Sequence, residues 1–290
     1  LGRLGVDRLA ALPSLDAALA ELVRTPYGRD VRPGMDLRAA QRGVFATLLW
    51  HLRILAGWSR PSGAERIRPL AAGFEIANLL GRFAQFGGAP PEPEFTLGAL
   101  NVGWARFVAA PTIAELRAQL AESDWGDPGS DEIGAIRLAL EAVWMERIAD
   151  RVPEARAWAV AYATILLARI VASGAAAGAV ANARRRLRGV LGARTDAASV
   201  WADLPACLPR ASAWVLDGIA GPDELWRAEA RVWARIEREA VRLNATVRPG
   251  PEMIVGLVAL LAADARRTRA ALELAARGGG VIAPWFDAVA

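Results

Sequence analysis

An all-α fold is predicted by three observations. Every periodic apolar run in this 290-residue chain repeats near 3.6 residues, and none alternates with a period of 2. Ala, Leu, Arg and Glu dominate the composition, and these residues favour helix over strand. Residues 13–28 and 111–126 also read as two copies of one segment that opens and closes a helix, so the architecture is built from repeats.

The two copies align without a gap, at a constant offset of 98. Copy one begins Pro13-Ser14-Leu15 and ends Thr25-Pro26-Tyr27-Gly28. Copy two begins Pro111-Thr112-Ile113 and ends Ser123-Asp124-Trp125-Gly126. In each, a hydroxyl residue after a proline precedes an apolar-periodic run, as a helix N-cap does. Thr112 to Glu115 and Ser62 to Glu65 both read as capping boxes. At the far end, the glycine permits a left-handed turn and the aromatic folds back over the bundle. Packing is therefore the reading preferred for Tyr27, Gly28, Trp125 and Gly126, ahead of a ligand site.

Further along, Gly87-Gly88-Ala89-Pro90-Pro91-Glu92-Pro93 cannot be helical and separates a first unit from a second. Ile133, Ile136, Leu140, Val143 and Ile148 make one helical stripe. Leu225, Ala228, Val232, Ile236, Ala240 and Leu243 make another, with Arg235–Glu239 and Glu239–Arg242 pairs on its outer face. The stretch from Ala157 to Ala183 carries only Arg169 as a charge. It is long enough to cross a bilayer, but it is rich in Ala and Gly and broken at Ser173-Gly174, so a core helix followed by a second helix is the plainer reading. Softer breaks fall at 174–178, 192–195 and 248–251. A last helix runs from Pro251 to Arg277 and stops at three glycines, and Val281-Ile282 is too short to count as a strand.

The repeat extends to longer helices. Phe74 to Phe83 closes unit one, Ala161 to Ile170 closes unit two, and Leu260 to Ala270 is a weaker third echo. Arg82, Arg169 and Arg269 take equivalent places in these apolar segments, where each must reach a carboxylate, a carbonyl or water. Three consecutive units result: 1–90, 91–180 and 181–290.

Several functions are disfavoured by the residues. No lysine occurs, so all 35 basic residues are arginine, and neither a phosphate-loop lysine nor a Schiff base is available. A net charge of +4 is ordinary for this size. A single Cys207 and a single His51, far apart, make neither a zinc site nor a dyad, and Cys207 reads as a small buried hydrophobe. Glu141, Glu146 and Asp150, beside Arg147 and Arg151, read as a solvated helix face. Arg184-Arg185-Arg186-Leu187-Arg188 is a basic cluster without interleaved aromatics, read as a solvated face or a contact for an acidic protein rather than a nucleic-acid site. The 11 tryptophans are scattered over separate helices. No catalytic residue, cofactor site, metal site or small-molecule substrate is expected.

The segment Leu12 to Gly28 resembles the AC39 family, the C/d component of rotary V-type and A-type ATPases. Glu75-Ile76-Ala77-Asn78-Leu79 is similar to that family's glutamate–asparagine–leucine helix. Leu97-Gly98-Ala99-Leu100 followed by Pro111 to Gly126 resembles its second unit, and Pro251 to Arg269 its last helix pair. Residues 175–210 match poorly. The final helix keeps Asp264 and Arg269 but has Ala262 and Arg267 at other places, and Ile165 stands where the first unit has Asn78, so the chain resembles a divergent bacterial member. The resemblance implies a helical funnel of three pseudo-repeated units around a pseudo-threefold axis. It also implies a non-catalytic rotor part, peripheral to the cytoplasmic face of the inner membrane, whose partners are the proteolipid ring and the central shaft during ion transport, with protons the expected ion. The alternatives are a free-standing helical scaffold for other proteins and a helical small-molecule binder.

Overall fold

The computed structural model describes residues 1–101, 104–245 and 250–281. Among them there is no strand, as an all-α chain requires. Ile282 and residues 248–249 of the break at 248–251 lie outside the described residues. The helices are α1 (Gly2–Ala10), α2 (Leu15–Leu22), α3 (Leu37–Trp58), α4 (Pro61–Phe86), α5 (Trp104–Val108), α6 (Ile113–Ala121), α7 (Ile133–Arg151), α8 (Arg156–Ser173), α9 (Ala177–Leu191), α10 (Leu204–Cys207), α11 (Arg210–Ala213), α12 (Leu225–Asn244) and α13 (Pro251–Ala276).

The chain divides into two compact units. The first joins Leu1–Ala64 to Trp233–Ala290, and the second is Glu65–Val232. The first is discontinuous because α13 returns to pack on α1, α2 and α3. In the second, α7, α8 and α9 pack against one another. Its apolar core draws Leu79 and Phe83 from α4, Leu116 and Leu120 from α6, and Ile136 and Leu140 from α7. Each such side chain contributes about 1.5–3 kcal/mol by leaving water.

Local chemistry sets the helix starts. Ser14 accepts from the Ala17 amide at 3.2 Å, and Thr112 accepts from the Glu115 amide at 3.2 Å. Ser62 does not cap. Helix α4 begins at Pro61, two residues before the start that a Ser62 cap would set; the proline ring already holds a helical φ, and the carbonyl of Arg60 receives the first amides. The helix stops follow the glycines: Gly174 is left-handed at φ 60°, and Gly278 and Gly279 lie at φ 99° and 92°.

Of the first stripe, Ile136, Leu140, Val143 and Ile148 are buried, while Ile133 is exposed at the mouth of α7. Of the second, all are buried except Leu243, which is half-buried, and Arg235 does pair with Glu239 at 2.7 Å. Helix α8, with the turn before it, is long and apolar enough to cross a membrane. Ten of its residues are buried inside the protein, including Ile165, Leu166 and Leu167. Cys207 is buried.

The two repeat glycines are required for different reasons. Gly126 is left-handed, at φ 71°. Gly28 is not. It sits in a 3₁₀ turn, Pro26–Arg29, that presses its backbone onto the preceding helix, and a Cβ there would lie 2.0 Å from the Val23 carbonyl oxygen. Pro26 starts this turn, and copy two has Asp124 in its place. Gly28→Ala should therefore destabilise the protein by about 2–3 kcal/mol through forced backbone displacement. Gly126→Ala should cost about 1–2 kcal/mol, mainly from left-handed strain. Urea denaturation of the two variants checks the order, and equal losses would contradict it.

Candidate functional site: two aromatic clasps

The two copies share one set of hydrogen bonds around the hydroxyl. In copy one the Thr25 hydroxyl donates to the Leu22 carbonyl at 2.6 Å and accepts from the Tyr27 amide at 3.2 Å. In copy two the Ser123 hydroxyl donates to the Leu120 carbonyl at 2.7 Å and accepts from the Trp125 amide at 3.1 Å. The Gly28 amide then reaches the Thr25 carbonyl at 2.9 Å, and the Gly126 amide reaches that of Ser123 at 3.2 Å. The hydroxyl thus closes the helix and opens the turn at once, aiming the next aromatic inward. Both rings are buried, Tyr27 to 7% exposure and Trp125 to 3%.

Each aromatic then lies near a carboxylate on a long helix. Tyr27 donates to Asp264 Oδ2 of α13 at 2.8 Å. Asp264 also accepts from the main-chain nitrogens of Leu1 and Gly2, so it joins three segments. The Trp125 indole lies near the Glu75 carboxyl of α4, which is only 2% exposed, and the Arg147 guanidinium lies over the Trp125 ring, 4.0 Å from its centroid. An aromatic residue combines a large apolar face with one donor, which suits this position.

The two clasps differ electrostatically. Burial first, and then the negative charge of Asp264, push the Tyr27 phenol far above its ordinary value, so it remains a donor. Burial raises the Glu75 carboxyl above the usual carboxylate range. The Trp125 hydrogen bond and Arg147 oppose that rise, and Asp124 adds to it.

This arrangement redraws the repeat. Helix α4, expected to close unit one, supplies its acid to copy two, and α13 serves copy one. Glu75 and Asp264 therefore correspond, and the arginines do not share one place relative to them. Arg82 follows Glu75 by two turns and donates to the carbonyl of Ala110, just before copy two, at 2.6 Å, while covering Phe86 at 4.7 Å. Arg169 pairs with Glu229 and lies 3.8 Å from Glu141. Arg269 covers Phe45 at 4.1 Å and reaches Gln41 at 3.4 Å, and burial draws its guanidinium below its ordinary value.

Two surface readings are corrected. Glu141 and Glu146 do not line a solvated face, because Glu141 faces Arg169 and Glu146 binds Arg186 at 2.8 Å; Asp150 is exposed. Within the basic cluster Arg186 is therefore paired, Arg184 donates to the Ala198 carbonyl at 2.9 Å, and Arg188 meets Asp196 at 3.1 Å, while Arg185 is exposed. Three of its four arginines thus have partners within the chain. His51 lies against the Thr47 carbonyl at 2.9 Å and edge-on to Trp50.

The clasp acids were missed as partners by sequence reasoning. Their signal was a lone acid in an apolar helix, at Phe74-Glu75-Ile76 and Ala263-Asp264-Ala265. Asn78 carries a further role: its side chain donates to the Phe95 carbonyl at 2.9 Å and accepts from the Phe95 amide at 2.8 Å, fixing the chain just after the proline-rich break. Among the described residues no three His, Cys, Asp or Glu side chains gather as a metal site would. A scan against protein-family models and a search of curated proteins both find no match for this chain.

Tyr27→Phe should cost about 1–2 kcal/mol, because it removes one of the donors to Asp264; urea denaturation measures it. Glu75 generates a pH dependence of definite sign. Its folded pKa is raised, so the native state holds the proton longer than the unfolded chain. Stability from this group is full below the unfolded value of about 4.3, falls as pH rises toward the folded value, and stays lower above it. Glu75→Gln should remove that fall, giving a flatter curve of unfolding free energy against pH from about 4 to 8. A variant curve parallel to the wild type would assign the slope elsewhere.

Proposed function

We propose that the chain is a non-catalytic rotor component of a V/A-type ATPase, seated on the membrane proteolipid ring and holding the central shaft during ion transport. The observation that carries this reading is the repeated turn. The segment that most resembles the AC39 family occurs twice, and both occurrences form the same hydroxyl-closed turn with a buried aromatic. A part that transmits torque has to resist shear between its helices. A charged hydrogen bond inside an apolar contact does so, because sliding the helix leaves a carboxylate without its donor. The three-unit funnel and the place at the cytoplasmic membrane face belong to the same proposal. The absence of lysine from the chain supports a mechanical role over nucleotide chemistry.

The chain tagged and purified from its native membranes at low and high salt should bring the proteolipid and shaft proteins with it. Arginine contacts at a rim weaken as salt rises, while a buried aromatic contact resists it. Recovery of neither protein at any salt would favour a free-standing helical scaffold. Calorimetry of the isolated chain with ATP should show no saturable binding, and specific binding would point to an enzyme or small-molecule binder instead.

A further inference from the structure

Between α4 and α5 the chain runs Gly87-Gly88-Ala89-Pro90-Pro91-Glu92-Pro93-Glu94-Phe95, and residues 89–97 form neither helix, strand nor turn. Every residue from Ala89 to Pro93 is restricted by a proline. Pro90, Pro91 and Pro93 have φ locked at about −65° by their rings. Ala89, Pro90 and Glu92 each precede a proline and are driven out of the helical region. The polyproline II helix meets both restrictions at once, and it needs no internal hydrogen bond.

Both ends of the segment are fixed to α4. At the start, Gly88 is left-handed, at φ 86°, and the Ala89 amide returns to the Ala84 carbonyl at 3.0 Å. At the finish, Asn78 holds both main-chain groups of Phe95, at 2.9 and 2.8 Å, and the Phe95 ring lies buried and edge-on to Phe74. Beside it the Glu94 carboxylate accepts from the Trp104 indole at 2.6 Å. A polyproline II helix has three residues per turn, so positions i and i+3 share an edge. Phe95 is buried and Glu92 half-buried, and these mark the edge that faces the protein. Pro90 and Pro93 share a second edge, Pro91 and Glu94 the third, and all four residues are exposed. Stiffness alone would be served by prolines on any edge. Here all three stand on the two edges turned to solvent.

We propose that Ala89–Glu94 is a preorganised polyproline II ligand for a second protein, which takes the Pro90–Pro93 edge into a groove of aromatic side chains and meets Glu94 with a cation. Flat rings accept a pair of pyrrolidines one turn apart, and the solvated carbonyls of such a helix accept from donors along the groove. The entropy that a flexible peptide loses on binding is already lost here in folding, since both ends are pinned and the residues between are restricted. The exposed Glu94 carboxylate sets the polarity of the groove. Six residues offer a small area, so the contact is a transient one, with affinity on the order of micromolar or weaker. This partner surface is independent of the rotor reading, because it uses neither the aromatic clasps nor the membrane.

Photocrosslinking in the native cells tests it, with benzoylphenylalanine replacing Thr96 of the full chain. Thr96 is exposed, follows Pro93 by one turn, and leaves every proline in place. The same probe at Arg185, exposed on α9, is the control. One protein should be captured from position 96 and not from 185, and the crosslink should map to a surface lined by aromatic residues. That protein, purified and titrated calorimetrically with the full chain, should bind about tenfold or more weakly to the Pro90→Ala/Pro93→Ala variant. It should bind several-fold more weakly to Glu94→Gln, which can still accept from Trp104 but carries no charge. Circular dichroism of both variants should match the wild type, because the replaced side chains are exposed; if the double variant is misfolded, Glu94→Gln and its loss of salt sensitivity decide the matter alone. No capture from position 96, equal capture from 185, a mapped contact without aromatic residues, or unchanged binding by the variants would overturn the proposal.

Discussion

A carboxylate inside an apolar helix contact is the constraint around which each repeat is organised. A carboxylate taken out of water without a partner costs several kcal/mol, so a helix that buries one is restricted to placements where a donor meets it. In the first unit that donor is the Tyr27 hydroxyl, and in the second the buried acid lies near the Trp125 indole, each aromatic being delivered by a hydroxyl-closed turn. The aromatic supplies apolar contact, and the acid supplies register. Neither would specify the other alone, since a ring slides on leucines and a lone acid favours water.

The turn delivers its aromatic reproducibly because its bonds are local. A hydroxyl two residues before the ring bonds backward to the helix and forward to the turn, and this requires only Ser or Thr at that position. The backbone around the ring is free to differ. Pro26 draws copy one into a 3₁₀ turn in which glycine is needed for space, while copy two uses glycine for its left-handed φ. One repeated residue therefore answers two steric demands.

An absence of lysine shapes the packing. Arginine is planar and carries five donors, so it can serve carbonyl oxygens, acids and ring faces at once. Arg231 reaches the carbonyls of Trp214, Val215 and Asp217 at 3.0, 3.4 and 2.8 Å, gathering a short irregular segment. Arg82 combines a carbonyl with a phenyl face, and Arg147 covers the clasp indole. Much of the positive charge that composition suggests for the surface is thereby spent on structure. This is why Arg184, Arg186 and Arg188 of α9 and Glu141 and Glu146 of α7, read along the chain as solvated faces, turn out to have partners.

By itself the sequence determined what depends on near neighbours. The all-α class, the caps at Ser14 and Thr112, the glycine stops and the repeated turn all rest on bonds between residues a few positions apart. Ser62 shows the limit of that rule, since Pro61 beside it set the helix start instead. Tertiary structure alone decided which long helix serves which turn. Tyr27 and Asp264 are 237 residues apart, and Glu75 precedes Trp125 across a proline-rich break. Periodicity marks a helix face as buried but carries no label for its partner. Reading the units in chain order therefore gave α4 to the wrong copy and missed the return of α13 to the first helices. The burial that sets Glu75 apart from Asp264 is a property of that packing, because two lone acids in apolar helices look alike until their surroundings are assembled.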